Sequence, residues 1–211
     1  GKSNKKNIIA RTDGYHGSTY LTMSMTGIAF DQQGFDLVPD LVHHIPSPNS
    51  YRRPEGMTES EFCDAKVMDL ENKIIELGPE NVACFIAEPI MGAGGVIVPP
   101  DGYHRRTRAI CDLYEVLYIS DEVVTGFGRL GHFFSSEEVF DIVPDIITCA
   151  KGMSSGYLPL SATILSEEMY EVISVQKSEG ALFTHGFTYS GHSVCCAAGL
   201  KNIAIMERDD I

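Results

Sequence analysis

No two of the six cysteines stand at CxxC spacing, and most of Cys63, Cys84, Cys111, Cys149, Cys195 and Cys196 lie in apolar runs. That pattern argues against a zinc or disulfide framework. It reads as buried free thiols of a reducing compartment, with the cytoplasm as the expected location. No apolar run approaches the roughly 20 residues that cross a bilayer. No signal peptide is visible, and no membrane partner is expected. Basic residues are scarce: 16 Lys and Arg stand against 29 Asp and Glu, a formal charge of −13. Nucleic acids and anionic membranes need basic patches, so neither is expected as a partner. One local basic pocket for an anionic cofactor is still allowed. Repeats, low-complexity segments and dividing linkers are also missing. What is present is 211 residues, 44% of them apolar, enough for one sizeable domain or two small ones. The start runs directly into a strand candidate and the end stops in the last turn of an apparent helix, so the chain reads as a fragment incomplete at both ends.

Strand and helix patterns alternate, which predicts an α/β fold with a mostly parallel sheet flanked by helices. Ile8-Ile9-Ala10 is the first strand candidate. Residues 31–58, rich in Pro, Gly and Asn, read as a long irregular excursion. Thr58 followed by Glu61 is a capping-box pattern, Phe62, Leu70, Ile74 and Leu77 form an apolar stripe, and Gly78-Pro79 ends the helix. Buried parallel strands are expected at 82–87, 116–119 and 145–150. Further helices are expected over 103–115, 167–174 and 193–208, and a strand over 161–165. Three of these strands run into charged residues: Glu88, Asp121 and Lys151. In open α/β sheets ligands bind outside the carboxyl ends of strands, so three charges delivered to one edge are the main clue to function.

Each residue alone has a plain reading. Lys151 is a strand-end lysine reaching solvent, or an amine whose desolvation makes it a nucleophile able to form a Schiff base with an aldehyde. Asp121 is a strand-end cap, or a buried carboxylate needing a cationic partner. The protonated pyridine nitrogen of pyridoxal 5'-phosphate (PLP) is such a partner, and its ring is then an electron sink. Val123, two residues on, points the same way if the strand continues. Tyr15-His16 is an ordinary turn, or an aromatic stacked on a cofactor ring. No second His or Cys stands at ligand spacing from His16, and His43-His44 would point apart in an extended chain, so no metal site is expected. Gly92-Ala93-Gly94-Gly95 is half of a dinucleotide loop in the wrong context, because an extended segment follows it rather than a helix. Those glycines serve turns or close backbone approach. Thr184 to His192 is a capping loop, or a phosphate site near a helix N-terminus.

Taken together, five segments resemble the class III (omega) aminotransferases of the PLP fold-type I superfamily. They are Gly-Tyr-His-Gly (14–17), Phe-Ile-Ala-Glu-Pro-Ile-Met-Gly-Ala-Gly-Gly-Val (85–96), Asp-Glu-Val-Val-Thr-Gly-Phe-Gly-Arg-Leu-Gly (121–131), Ala-Lys-Gly-Met-Ser-Ser-Gly-Tyr (150–157) and His-Gly-Phe-Thr-Tyr-Ser-Gly-His (185–192), in the family's order. The resemblance implies that residues 1–211 are the central part of the PLP-binding large domain. It implies that Lys151 carries the cofactor and shuttles the proton, and that Asp121 pairs with the pyridine nitrogen. Tyr15 and Val123 would sandwich the ring, with His16 and Glu88 beside Asp121 and the cofactor. Thr188 would bind the phosphate of the neighbouring subunit of a homodimer. Arg129 would belong to scaffold. The implied substrates are an amine or amino acid donor and a 2-oxo acid acceptor, exchanged by a ping-pong mechanism.

Departures from the family pattern refine that expectation. Ornithine- and GABA-type members usually carry a glutamate where this chain has Ala93. The Met-Gly-Ala-Gly-Gly run and Tyr51-Arg52-Arg53-Pro54 look more like pyruvate-dependent omega-amino-acid and amine transaminases. Ser193 stands where proline is common, with a local effect on helix entry expected. The family's phosphate loop and substrate arginine fall outside these 211 residues, so poor cofactor affinity and little turnover are expected of them alone. The alternatives are an aminomutase or decarboxylase on the same fold, a silent folding or dimerisation module, and a nicotinamide-dependent oxidoreductase.

Overall fold

The structure, a computed structural model, describes residues 4–175 and 183–211. Its elements are β1 (Asn7–Arg11), α1 (Tyr20–Met25), α2 (Ala29–Gln32), β2 (Val42–Ile45), α3 (Glu59–Leu77), β3 (Val82–Ala87) and α4 (Tyr103–Leu113). They continue with β4 (Leu117–Asp121), α5 (Ser135–Glu138), β5 (Ile146–Cys149), β6 (Ala162–Leu165), α6 (Glu167–Ser174) and α7 (Ser193–Asp209). Single 3-10 turns stand at Ser50–Arg52, Pro79–Asn81 and Lys151–Met153. The strands form one sheet in the order β2-β1-β3-β4-β5-β6. All neighbours are parallel except β6, which runs antiparallel to β5.

Alternation along the central strands sorts the core into two faces. Ile9, Phe85 and Tyr118 share one buried cluster with Leu70 and Ile74 of α3 and Cys111 of α4. Phe85 and Tyr118 are register partners and meet edge to face, with centroids 5.5 Å apart. Ala10 and Ile86 turn the other way and pack with Val42, Met25 and Ile119. Truncating a side chain such as Phe85 would cost about 3–5 kcal/mol. Burial on both faces is why β3 reads as an unbroken apolar run.

Helix α3 begins as its capping box predicts. Thr58 Oγ1 accepts the Glu61 N–H at 3.2 Å, and the Glu61 carboxylate accepts the Thr58 N–H at 2.9 Å. It ends at Gly78, whose φ of 81° a side chain would resist, and Pro79 follows.

The 31–58 excursion is not wholly irregular. It contains β2, which pairs with β1 from Ile8 opposite Val42 to Arg11 opposite Ile45. The sequence Val-His-His-Ile hides that strand, because its burial follows no period of two: only Val42 and Ile45 are buried. The two histidines diverge. His43 Nε2 meets Asn7 Oδ1 at 3.2 Å and His44 Nε2 meets Met25 O at 3.1 Å. After the glycine run, Met91 and Ile97 form an isolated bridge and the next helix starts only at Tyr103. A Cβ on Gly94 would collide with the Asp13 carbonyl, so close backbone approach explains that glycine.

Candidate active site

The parallel order brings the carboxyl ends of β1, β3, β4 and β5 to one edge of the sheet. A cavity of about 170 Å³ opens there, and Tyr15, His16, Glu88, Asp121, Val123 and Lys151 all line it, together with Gly17, Ala93 and Val124. Six of the seven residues singled out in the sequence are thus brought together. The seventh, Thr188, is exposed and lies outside this cavity, in the turn before α7.

Asp121 ends β4 and is 6% exposed. Its Oδ2 lies 2.7 Å from His16 Nδ1, and its Oδ1 accepts the Val123 N–H at 3.2 Å. An ionised carboxylate only accepts, so the proton of that pair sits on His16 Nδ1. His16 is held from its other side by its own N–H, which donates to Thr26 Oγ1 at 3.0 Å. Its Nε2 is buried with no partner among the described residues. Val123 reaches the cavity differently from the expectation. The strand stops at Asp121, and a turn closed on the Asp121 carboxylate presents the valine.

Glu88 is buried, and both its oxygens are used on backbone. Oε1 accepts the Tyr15 N–H and Oε2 accepts the Gly92 N–H, each at 2.9 Å. It therefore ties the Tyr15 loop to the glycine loop. The Glu88-Pro89 step is itself pinned from the sheet interior. Arg11 Nη2 donates to Glu88 O at 2.6 Å, and His104 Nε2 donates to Pro89 O at 2.9 Å while Tyr118 O–H donates to His104 Nδ1 at 2.8 Å. Burial, with the Arg11 guanidinium nearby, brings the pKa of His104 down to about 3.

Lys151 lines this cavity and also a neighbouring one of about 380 Å³ formed by the Ser154–Leu160 loop. It is an exposed residue, so these residues alone do not supply the burial expected of it. Its backbone is unusual. With φ of 42° it sits in the left-handed region, a costly place for a lysine and a frequent mark of a functional site.

Sequence reading missed Glu122. It follows the last residue of β4, its N–H donates to Thr148 O at 2.8 Å, and its side chain is fully buried and does not line the cavity. Its carboxylate accepts from Thr125 Oγ1 and from the N–H and hydroxyl of both Ser135 and Ser136. It thereby anchors the start of α5 to the end of β4. Arg129, read as scaffold, is exposed and does not line the cavity. The signal available beforehand was an Asp-Glu pair at a strand end, whose second member had to be satisfied elsewhere.

Residues 1–211 match the aminotransferase class-III family along their whole length. The chain belongs to that family. Gamma aminobutyrate transaminase 3, chloroplastic, of Solanum lycopersicum is 46% identical over 212 residues, which cover 100% of this chain and 41% of the relative. A vanillin aminotransferase of Capsicum frutescens is 45% identical over 213 residues, covering 100% of this chain and 46% of that protein. The crystal structure of the omega transaminase from Pseudomonas jessenii in complex with PMP superposes with a TM-score of 0.94 at 43% identity, covering 99% of this chain and 46% of that one. The chain thus spans less than half the length of these relatives. Class-III aminotransferases use PLP, and the residues at this cavity fit it: a lysine amine, a buried carboxylate oriented by a histidine, and Tyr15 and Val123 as walls. Relatives named gamma aminobutyrate transaminase are 44–46% identical to this chain, and Ala93 lines its cavity.

Proposed function

We propose that residues 1–211 are the central part of the large domain of a longer transaminase. It moves an amino group from an omega-amino acid or amine to pyruvate by a ping-pong exchange. One observation carries the reading: Lys151, Asp121 and Tyr15 meet at one cavity on the carboxyl edge of the sheet, with Asp121 oriented by His16. PLP, when bound, supplies a carbonyl for the donor amine and a ring that takes up the charge left when the donor carbon loses its hydrogen.

The chain's own residues do the rest. Asp121 would pair with the ring nitrogen and keep it protonated. His16 holds the Asp121 carboxylate in place. Tyr15 and Val123 would bracket the ring and exclude water from its faces. Lys151 Nζ would anchor the cofactor, then accept the proton from the donor carbon and deliver it to C4′ of the cofactor. Glu88 acts on the backbone of the Tyr15 and Gly92 loops, which makes it a positioning residue. Thr188 is exposed and outside its own cavity, which supports a role toward the phosphate in the neighbouring subunit of a homodimer.

The test uses the full-length protein loaded with PLP. γ-Aminobutyrate is the first donor to try, given the names of the relatives, with pyruvate as acceptor and alanine as the measured product. Borohydride should fix the cofactor on the peptide containing Lys151. No fixed cofactor there, or one that persists in Lys151→Ala, would sink the proposal. Product analysis distinguishes transamination from decarboxylation or amino migration.

A further inference from the structure

The turn that carries Lys151 is strained, and one side chain from a distant helix holds it. Lys151 and Ser155 both have left-handed backbones, with φ of 42° and 50°. Non-glycine residues persist there only when their surroundings fix them. Two of the turn's own backbone hydrogen bonds are long, Ser154 N–H to Lys151 O at 3.3 Å and Ser155 N–H to Gly152 O at 3.2 Å, beside Met153 N–H to Ala150 O at 3.0 Å and Ser154 Oγ to Leu158 O at 2.6 Å.

Asn202 of α7 supplies what the turn lacks. Its Nδ2 donates to Gly152 O at 2.8 Å and to Met153 O at 3.2 Å. Its Oδ1 accepts from Ser155 Oγ at 2.6 Å. Carbonyls only accept, so this orientation of the amide is forced. Gly199 lies one helical turn earlier on the same face, where an added Cβ would run into Leu160, so α7 sits close against the Lys151 loop. From the other side, Gly152 packs on Phe127, with a Cβ there only 3.0 Å from that of Phe127. The Lys151 turn is thus gripped between the Gly126–Gly128 bend and Asn202.

We propose that Asn202 is a positioning residue for the Lys151 amine, acting through the carbonyls of Gly152 and Met153. The inference rests on Lys151 being the cofactor lysine, as proposed above. Removing the amide lets the turn relax out of its left-handed conformation. The amine then loses its aim at the donor carbon, while the walls that bind substrate stay in place.

The experiment uses the full-length protein. In the cofactor-loaded form, Asn202→Ala should lower kcat roughly 10- to 100-fold, with the KM for pyruvate changed less than about 3-fold. In the apoprotein, amide exchange at residues 152–155 should speed up by roughly 10-fold while exchange in β3 and β4 stays unchanged. Asn202→Asp keeps the acceptor for Ser155 but loses both donors, and should behave like the alanine variant. Wild-type kcat and exchange in either variant would overturn the inference. So would exchange loosened across the whole sheet, which would mark a general structural role. Should Asn202→Ala fail to fold, Ser155→Ala removes only one bond of the clamp. It should lower kcat by about 3-fold and loosen the same amides, and wild-type values there would overturn the inference equally. Borohydride fixation on Lys151 in the unmodified protein separates the two levels. Its absence defeats the cofactor-lysine reading, whereas its presence with an unaffected Asn202→Ala defeats only the positioning role.

Discussion

His16 Nδ1 lies 2.7 Å from Asp121 Oδ2, joining the loop after β1 to the last residue of β4 across β3. The histidine side chain is 1% exposed and the aspartate 7%, so the pair is screened little by solvent. The short contact fixes the direction of the Asp121 carboxyl group. Asp121→Asn preserves the shape and removes the charge that would keep a ring nitrogen protonated. In the full-length enzyme it should lower kcat roughly 100- to 1000-fold. His16→Phe leaves the charge and removes one charge-assisted bond, for a loss of roughly 10- to 100-fold. Steady-state kinetics on the two variants check this ordering, and a milder defect in Asp121→Asn would contradict it.

Glu122 sets a separate expectation, on stability. Five donors converge on a fully buried carboxylate, four of them from Ser135 and Ser136. Glu122→Ala strands those donors and should destabilise the protein by more than about 3 kcal/mol. Glu122→Gln should also destabilise, because either amide orientation turns N–H groups toward backbone N–H groups. Urea unfolding of the apoprotein measures both. An unchanged midpoint in Glu122→Ala would show that the clamp contributes little.

The contrast between Asp121 and Glu122 shows what could be read from sequence and what could not. Asp121, Glu88 and Lys151 were legible because each stands at the end of a short apolar run, although only β3 is buried along nearly its whole length and β5 is buried only at Cys149. The partners that satisfy these residues are not local. Glu122 is held by Ser135 and Ser136, Arg11 by the Glu88 carbonyl, and the Lys151 turn by Asn202. No periodicity in the chain announces such pairings. β2 escaped notice for a different reason, since two half-buried histidines interrupt its pattern. Val123 was placed correctly on a wrong premise: a turn, rather than a continued strand, delivers it.

Thiol chemistry offers an independent check on the core. Five of the six cysteines are buried and Cys196 is partly exposed. Burial pushes the Cys84 thiol up to about 12 and raises that of Cys111 as well. The thiolate is the reactive form, so these two should be inert in the native protein near pH 8. Iodoacetamide is expected to modify Cys196 at most, and all six after unfolding. Rapid alkylation of Cys84 or Cys111 without unfolding would mean that the β3–α4 packing is looser than described.

His104 predicts how acid acts on the fold. Its ring gives one proton to the Pro89 carbonyl and takes one from Tyr118. Both nitrogens are therefore committed in the neutral form, and burial brings the pKa from its ordinary 6.5 to about 3. Below pH 6.5 the unfolded chain binds a proton here that the folded chain refuses. The stabilisation is thus complete above 6.5 and is lost as the pH falls toward 3, at up to about 1.4 kcal/mol per pH unit. His44, whose pKa is also lowered by burial, adds a slope of the same sign. His104→Gln keeps a donor and an acceptor but cannot titrate. It should lower stability at pH 7 and, between pH 4 and 6, flatten the dependence of the urea midpoint on pH. A variant as acid-sensitive as the parent would place the titrating group elsewhere. His104→Ala, by contrast, frees the Pro89 carbonyl, so at pH 7 it should also loosen amide exchange at Tyr15 and Gly92, whose N–H groups depend on Glu88 being held in place.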